Sequence, residues 1–283
     1  MPAVHLSSRQ LIRVSGGDAR EFLHSLITTD IESLPERTAR PGALLTPQGK
    51  ILFDFMISRD GDDFLIETDA AQRDALMRRL TMYKLRAAVT IAADDADGVT
   101  VTWGDGSVTG AADAAFAKAG VTLSRYPGKP EGIAIDASEA EYETLRVASG
   151  IPASGFDYAL QDAFPHDVLL DRTDGLSFRK GCYVGQEVVS RMQHRGTARR
   201  RVALVTSETL LPVSGTDIMA GSKPVGTLGS VLGNKGLAIV RIDRVGDAIA
   251  NGIPLTAGDV TVVLSLPEWT DLSFPTATQE AEP

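Results

Sequence analysis

Cysteine is nearly absent from this chain: Cys182 is the only one in 283 residues. A single thiol cannot close an intramolecular disulfide, and it cannot by itself enclose an iron–sulfur centre, which takes about four thiolates. No run approaches the ~18 consecutive apolar residues of a membrane span, and the start Met1-Pro2-Ala3-Val4-His5 lacks the charged-then-apolar pattern of a secretory signal. These absences predict a cytoplasmic protein with no membrane partner. The four histidines (His5, His24, His166, His194) are scattered, and neither H-E-x-x-H nor C-x-x-C occurs, so each reads as a surface or satisfied core residue rather than a metal ligand. Neither a G-x-x-x-x-G-K-[S/T] loop nor a G-x-G-x-x-G turn is present, which leaves nucleotide-dependent chemistry without support. Positive charge is short as well. With 28 Lys and Arg against 37 Asp and Glu the net charge is −9, the wrong sign for a protein that coats nucleic acid.

What is there is an ordinary globular composition, 43% hydrophobic and 23% charged, long enough for about two domains or three small ones. Ala19, Phe22, Leu23, Leu26 and Ile27 fall on one helical face, and Asp18 with Glu21 predicts a capping box at its start. Runs at 43–45, 51–58 and 64–67, separated by the turns Thr46-Pro47-Gln48-Gly49-Lys50 and Arg59-Asp60-Gly61-Asp62, predict an antiparallel meander. Further capping signals stand at Asp69 with Gln72 and at Ser138 with Glu141; the second helix closes at Gly150 ahead of Pro152. Strands running into helices and back indicate an α+β body. After Gly196 short β runs at 202–206, 225–228, 237–241 and 260–266 alternate with turn clusters, predicting a small β-barrel or sandwich with its boundary near Gly196. Residues 276–283 are polar and acidic without periodicity and are expected to be disordered.

The most informative stretch is Lys180-Gly181-Cys182-Tyr183-Val184-Gly185-Gln186-Glu187, a glycine-bounded loop feeding a short helix through Arg191. A thiol at a helix start with Arg179 and Lys180 beside it favours the thiolate, although a free cysteine is also among the residue types most often buried as a small hydrophobe. Gln186 and Glu187 are expected to hold the loop by hydrogen bonds, and Arg191 to face Glu187 or a ligand. Seven of the 28 basic residues (Arg179, Lys180, Arg191, Arg195, Arg199, Arg200, Arg201) fall between 179 and 201 against one acid, Glu187. That run reads either as a solvated face or as a site for an anionic ligand. Asp54, among Phe53, Phe55 and Met56, is a candidate proton-transfer group, but strand alternation equally turns it to solvent.

The octet resembles the K-G-C-[F/Y]-x-G-Q-E signature of the YgfZ family, folate-binding relatives of the aminomethyltransferase (T-protein) of the glycine cleavage system. Phe22-Leu23 through Thr29-Asp30, Thr46 to Lys50, Leu145-Arg146 through Gly150-Ile151-Pro152, and Gly175 to Phe178 resemble further segments of that family. The resemblance implies a T-protein-like α+β cloverleaf around a central tetrahydrofolate cavity. Residues 1–195 would form a folate-binding body of two intertwined subdomains and 196–270 a C-terminal β-barrel, ahead of a tail over 271–283. It implies an accessory protein in iron–sulfur cluster assembly, insertion or repair rather than an enzyme, with effects on tRNA modification only indirect. Cys182 would then be the functional thiol, a shared or transient cluster ligand, with assembly proteins or client enzymes as partners and no direct nucleic-acid contact. Lys180, Gly181, Tyr183, Gly185, Gln186, Glu187 and Arg191 would support it, and Asp54 and Arg146 would contact folate. The alternative is a folate-dependent aminomethyl or methyl transferase. That enzyme looks to have paired aspartates where this chain offers Phe53-Asp54.

Overall fold

The structure, a computed structural model, describes residues 1–104, 106 and 109–275, and its chain divides into two compact units. The first comprises Met1–Tyr142 with Leu170–Val188, the second Glu143–Leu169 with Val189–Pro283. The tail expected over 271–283 lies, from residue 276 on, outside the described residues.

In the first unit, β1 (Ala3–Leu6) and β2 (Arg9–Ser15) precede α1 (Ala19–Leu26), and β3 (Thr38–Leu45), β4 (Ile51–Asp60) and β5 (Asp63–Asp69) form the expected meander. α2 (Ala70–Lys84), β6 (Thr90–Ala93), β7 (Val99–Trp103), β8 (Ala111–Asp113), α3 (Ala114–Lys118) and β9 (Leu123–Pro127) complete it. All nine strands belong to one sheet in the order β1-β7-β9-β8-β3-β4-β5-β2-β6, antiparallel except where β8 runs parallel to β3. Alternation along the strands sends Ile12, Val14, Phe55, Ile57, Phe64 and Ile66 into a core with Phe22, Leu23, Leu26 and Ile27 of α1 and Leu76 and Leu80 of α2.

Of the three capping boxes expected, one forms in full, and at Asp69 only half forms, since Gln72 Oε1 makes no return bond. Asp69 accepts from Ala71 N–H at 2.8 Å, and Ser138 and Glu141 exchange bonds, 2.8 Å from Ser138 N–H to Glu141 Oε2 and 3.3 Å from Glu141 N–H to Ser138 Oγ. At α1 the box does not form: the Asp18 carboxylate instead accepts from Ala88 N–H at 2.7 Å. A tertiary donor has displaced the local one.

The second unit contains the end of α4 (Glu139–Ala148) and of α5 (Gln186–His194), then β10 (Arg200–Thr206), β11 (Asp217–Ala220), β12 (Lys223–Leu232), β13 (Lys235–Arg241), α6 (Ile242–Ala250), β14 (Leu255–Ala257), β15 (Val260–Thr261) and β16 (Val263–Ser265). Its seven strands run β15-β14-β11-β12-β13-β10-β16, an antiparallel, near-closed barrel around Ala203, Val205, Ile218, Leu228, Val240 and Leu264. Leu272 and Phe274 also pack on that core.

Candidate functional site

The loop carrying Cys182 is fixed in the first unit by three side-chain or backbone devices. Lys180 is buried, and its Nζ donates to the carbonyls of Ile27 at 2.7 Å and Thr29 at 2.8 Å, at the end of α1. The same ammonium lies 5.2 Å from the centre of the Tyr183 ring, a cation–π contact. Tyr183 is buried, its hydroxyl donates to Ser177 O at 3.2 Å, and its backbone exchanges bonds with Gln186, N–H to Gln186 Oε1 at 3.3 Å and O from Gln186 N–H at 3.2 Å. Gly185 adopts φ +80°, and a Cβ there would stand 2.6 Å from Thr46 O and 3.2 Å from Gly49 Cα. Only glycine lets the loop rest on the 46–50 turn.

The irregular stretch leading into the loop is tied in turn. Thr28 Oγ1 donates to Gly175 O at 2.6 Å and accepts from Ala43 N–H at 2.9 Å, while Ser177 N–H donates to Thr28 O at 3.0 Å. Segments 22–30, 46–50 and 175–187, far apart in sequence, are thereby brought together. Gly181 and Cys182 are the exposed apex of this assembly.

Exposure settles one open choice: Cys182 is not a core hydrophobe. The expected activation by charge and dipole needs correcting, however. α5 begins at Gln186, four residues beyond the thiol, whereas dipole effects fade within a helix turn. The Lys180 ammonium is turned inward to Ile27 and Thr29. Burial lowers the Lys180 pKa from its ordinary 10.5 to about 8, against the opposing pull of Asp30 and Glu32. Of the downstream pair, Gln186 does hold the loop; Glu187 is exposed, and no ion pair joins it to Arg191 among the described residues. The basic run is not one face either. Arg199 pairs with Asp243 at 3.8 Å, Arg200 with Asp162 at 3.1 Å and Asp167 at 3.6 Å, and Arg201 is buried, donating to His166 O. Arg179, Arg191 and Arg195 are the exposed remainder.

Of the two residues expected at folate, Arg146 is engaged throughout the second unit. Its guanidinium donates to Glu143, to Ile151 O and Asp157 Oδ2 at 2.7 Å each, and to Ser230 Oγ at 2.7 Å, with only 4% of the side chain exposed. No donor is left to pair with a ligand carboxylate. Asp54 is half-buried on β4, on the strand face opposite Phe53 and Phe55 and shared with Met56 and Ser58. Among the described residues no group of three or more His, Cys, Asp or Glu could hold a metal ion.

Sequence reasoning missed a buried charge cluster in the first unit. Arg125 donates to Glu67 and to Asp113 at 2.7 Å each and to the Tyr142 hydroxyl at 3.2 Å, and Glu67 also pairs with Arg9 at 2.9 Å. These residues come from β2, β5, β8, β9 and α4, and no local spacing links them. Glu67 and Arg125 floor a cleft between the strands that Met56, Leu65, Val99 and Tyr126 also line.

Comparison with known proteins agrees with this architecture. Residues 199–272 match the family model described as CAF17, C-terminal beta-barrel domain. The crystal structure of glycine cleavage system aminomethyltransferase T from Bartonella henselae superposes with a TM-score of 0.65 at 17% identity, covering 96% of this chain and 87% of that one, which shows a shared fold. The iron–sulfur cluster assembly factor IBA57 homolog, mitochondrial, of Pyricularia oryzae is 32% identical over 89% of this chain and 75% of its own length. The human iron–sulfur cluster assembly factor IBA57, mitochondrial, is 30% identical over 93% and 84%. These relatives are named for mitochondria, which overturns the expected cytoplasmic location. They also bear the name IBA57 rather than YgfZ, a related family. By this similarity over most of both chains, the protein belongs to the IBA57 family of iron–sulfur cluster assembly factors with the fold of aminomethyltransferase T.

Proposed function

We propose that this protein is an accessory factor in iron–sulfur cluster assembly, insertion or repair, and that it acts through Cys182. The observation that carries the reading is the presentation of the chain's single cysteine at the exposed apex of a loop anchored by Lys180, Tyr183 and Gly185. A cluster needs about four thiolates, so Cys182, its proton lost to solvent, supplies one iron ligand and a partner protein supplies the rest. The anchored loop lowers the ordering entropy that such a shared ligand would otherwise cost. Client enzymes recognised through such a factor connect it to tRNA modification only indirectly.

Tetrahydrofolate enters this reading as a ligand of the body, supported by the family resemblance and by the aminomethyltransferase fold. Arg146 does not fit a folate contact because its donors are engaged; Asp54, half-buried on β4, keeps the folate role that the resemblance gives it, as a carboxylate acceptor for a ligand N–H.

The test pairs function with fold. Cells depleted of the protein, rescued with Cys182→Ser, should lose activity of cluster-dependent enzymes while the purified variant melts like wild type. Full rescue by Cys182→Ser would sink the proposal. Turnover of an aminomethylated amine by purified protein, lost in Asp54→Asn and untouched by Cys182→Ser, would replace it with a transferase.

A further inference from the structure

The end of α2 carries an apolar knob flanked by exposed cations that the cluster-loop reading does not use. Across residues 75–93 the chain has four cations, Arg78, Arg79, Lys84 and Arg86, and no acid, in a protein of net charge −9. None of their side chains enters an ion pair among the described residues. Arg78 and Met82, four residues apart, share the helix face turned away from the buried Leu76 and Leu80. Met82 is 68% exposed, and Leu85, directly after the helix, is 89% exposed.

Leu85 is held outward by its backbone. It sits at φ 46°, ψ −106°, a conformation that L side chains rarely adopt. The chain beyond it is fixed: Ala87 N–H donates to Lys84 O at 2.8 Å, Ala88 N–H to the Asp18 carboxylate at 2.7 Å, and Gly16 packs so closely that a Cβ there would lie 2.2 Å from Ala88 O. The turn has no slack with which to fold Leu85 back onto the core. The nearby acids are engaged, Asp18 by Ala88 and Asp74 by Arg73.

We propose that this tip docks on an anionic lipid bilayer, with Met82 and Leu85 at the acyl boundary and the exposed Arg78 and Arg86 against headgroup phosphates. A projecting pair of apolar side chains beside exposed, unpaired cations is the arrangement of an interfacial membrane contact. The contact is peripheral, since no helix among the described residues is long and apolar enough to cross a membrane. It revises the expectation of no membrane partner that composition suggested.

Vesicle flotation tests it with the whole chain. Vesicles of phosphatidylcholine containing about 30 mol% phosphatidylserine should carry the protein at low salt, those of phosphatidylcholine alone should not, and high salt should release it. Arg78→Gln with Arg86→Gln should weaken binding roughly 30-fold, at about fivefold per cation. Leu85→Gly should weaken binding yet raise the melting temperature, because glycine accepts the backbone conformation; a purely structural role for Leu85 predicts no loss of binding. Cys182→Ser should bind vesicles as wild type does, which separates this surface from the cluster loop. Failure to float with anionic vesicles, or unchanged binding in the Arg and Leu85 variants, overturns the proposal. Capture by polyglutamate without vesicle binding would overturn it in favour of an acidic protein partner.

Discussion

Lys180 Nζ lies 2.7 Å from the carbonyl oxygen of Ile27, a contact that spans 153 residues of sequence and fixes the loop bearing Cys182 to the end of α1. The thiol is accessible because its neighbour is not.

Burial makes this anchor sensitive to alkaline pH. The folded-state pKa of Lys180, about 8, lies below its ordinary 10.5, so between these values the unfolded chain binds more protons and stability rises with pH. The full difference is worth roughly 3 kcal/mol at about 1.4 kcal/mol per pH unit. The neutral amine keeps two N–H groups, enough for both carbonyls. Burial pushes Tyr183 upward, so its contribution is present below pH 10 and is lost above it. Urea unfolding should therefore show stability climbing from pH 8 toward 10 and then falling; in Lys180→Met the climb should flatten, and hydrogen exchange across 180–187 should quicken.

Gly185→Ala tests the seat of the loop. Positive φ costs an L residue about 1–2 kcal/mol, and the Cβ clash with Thr46 O adds about 1–3 kcal/mol of overpacking. A loss of about 2–5 kcal/mol in equilibrium unfolding is expected, with faster proteolysis near residue 182. Gly181→Ala, where a Cβ meets nothing within 4 Å, should be nearly neutral.

Cys182→Ser should shift stability by less than about 0.5 kcal/mol, as for other exposed positions. In native wild type a thiol reagent should titrate one equivalent without denaturant; a thiol that reacts only in urea would contradict the exposed apex.

Arg146 and Asp157 form a buried pair in the second unit, with side chains 4% and 1% exposed. Asp157→Leu should cost about 2–4 kcal/mol, because Arg146 keeps only the more exposed Glu143 as a carboxylate partner and the N–H groups of Ala153 and Ser230 lose their acceptor, and Arg146→Met with Asp157→Leu together should cost less than the sum of the two single changes. A double-mutant cycle in chemical denaturation measures this, and tetrahydrofolate affinity of stable Arg146 variants should be unchanged.

In the first unit Glu67 sets an acid limit. Burial opposes its ionisation, but Arg125 and Arg9 outweigh it and hold the carboxyl below its ordinary range. Its stabilisation is therefore present above about pH 4.5 and lost as pH falls. Acid unfolding of Glu67→Gln should show a shallower pH dependence there than wild type.

What was legible in the sequence is what local physics decides. The apolar face of α1, the meander over 38–69, the Ser138–Glu141 box and the β-rich texture after Gly196 depend on neighbours in the chain, and they appear where periodicity and turn chemistry put them. Asp18 failed as a cap because Ala88 N–H, 70 residues on, competes for its carboxylate. In the sequence Lys180 is simply a charge beside the thiol, whereas its partners are carbonyls just beyond α1 that no spacing rule connects to it. Arg146 looked available for a ligand until Asp157 and Ser230 folded around it. α6 contains Gly246, an unfavourable helix residue, and keeps it because a Cβ would strike Pro275 O.

The first unit is discontinuous: residues 1–142 leave it and 170–188 return to complete it. On a ribosome, its hydrophobic core and its whole nine-stranded sheet are synthesised long before Lys180 emerges to close on Ile27. Contacts of such sequence separation form slowly, so the thiol takes up its fixed pose among the last events of maturation. A nascent or partly unfolded chain would offer only a loose cysteine, without the shaped apex a cluster-bearing partner would grip. Presentation of the cysteine thus doubles as a quality check, reporting that the whole of this unit has been made and folded.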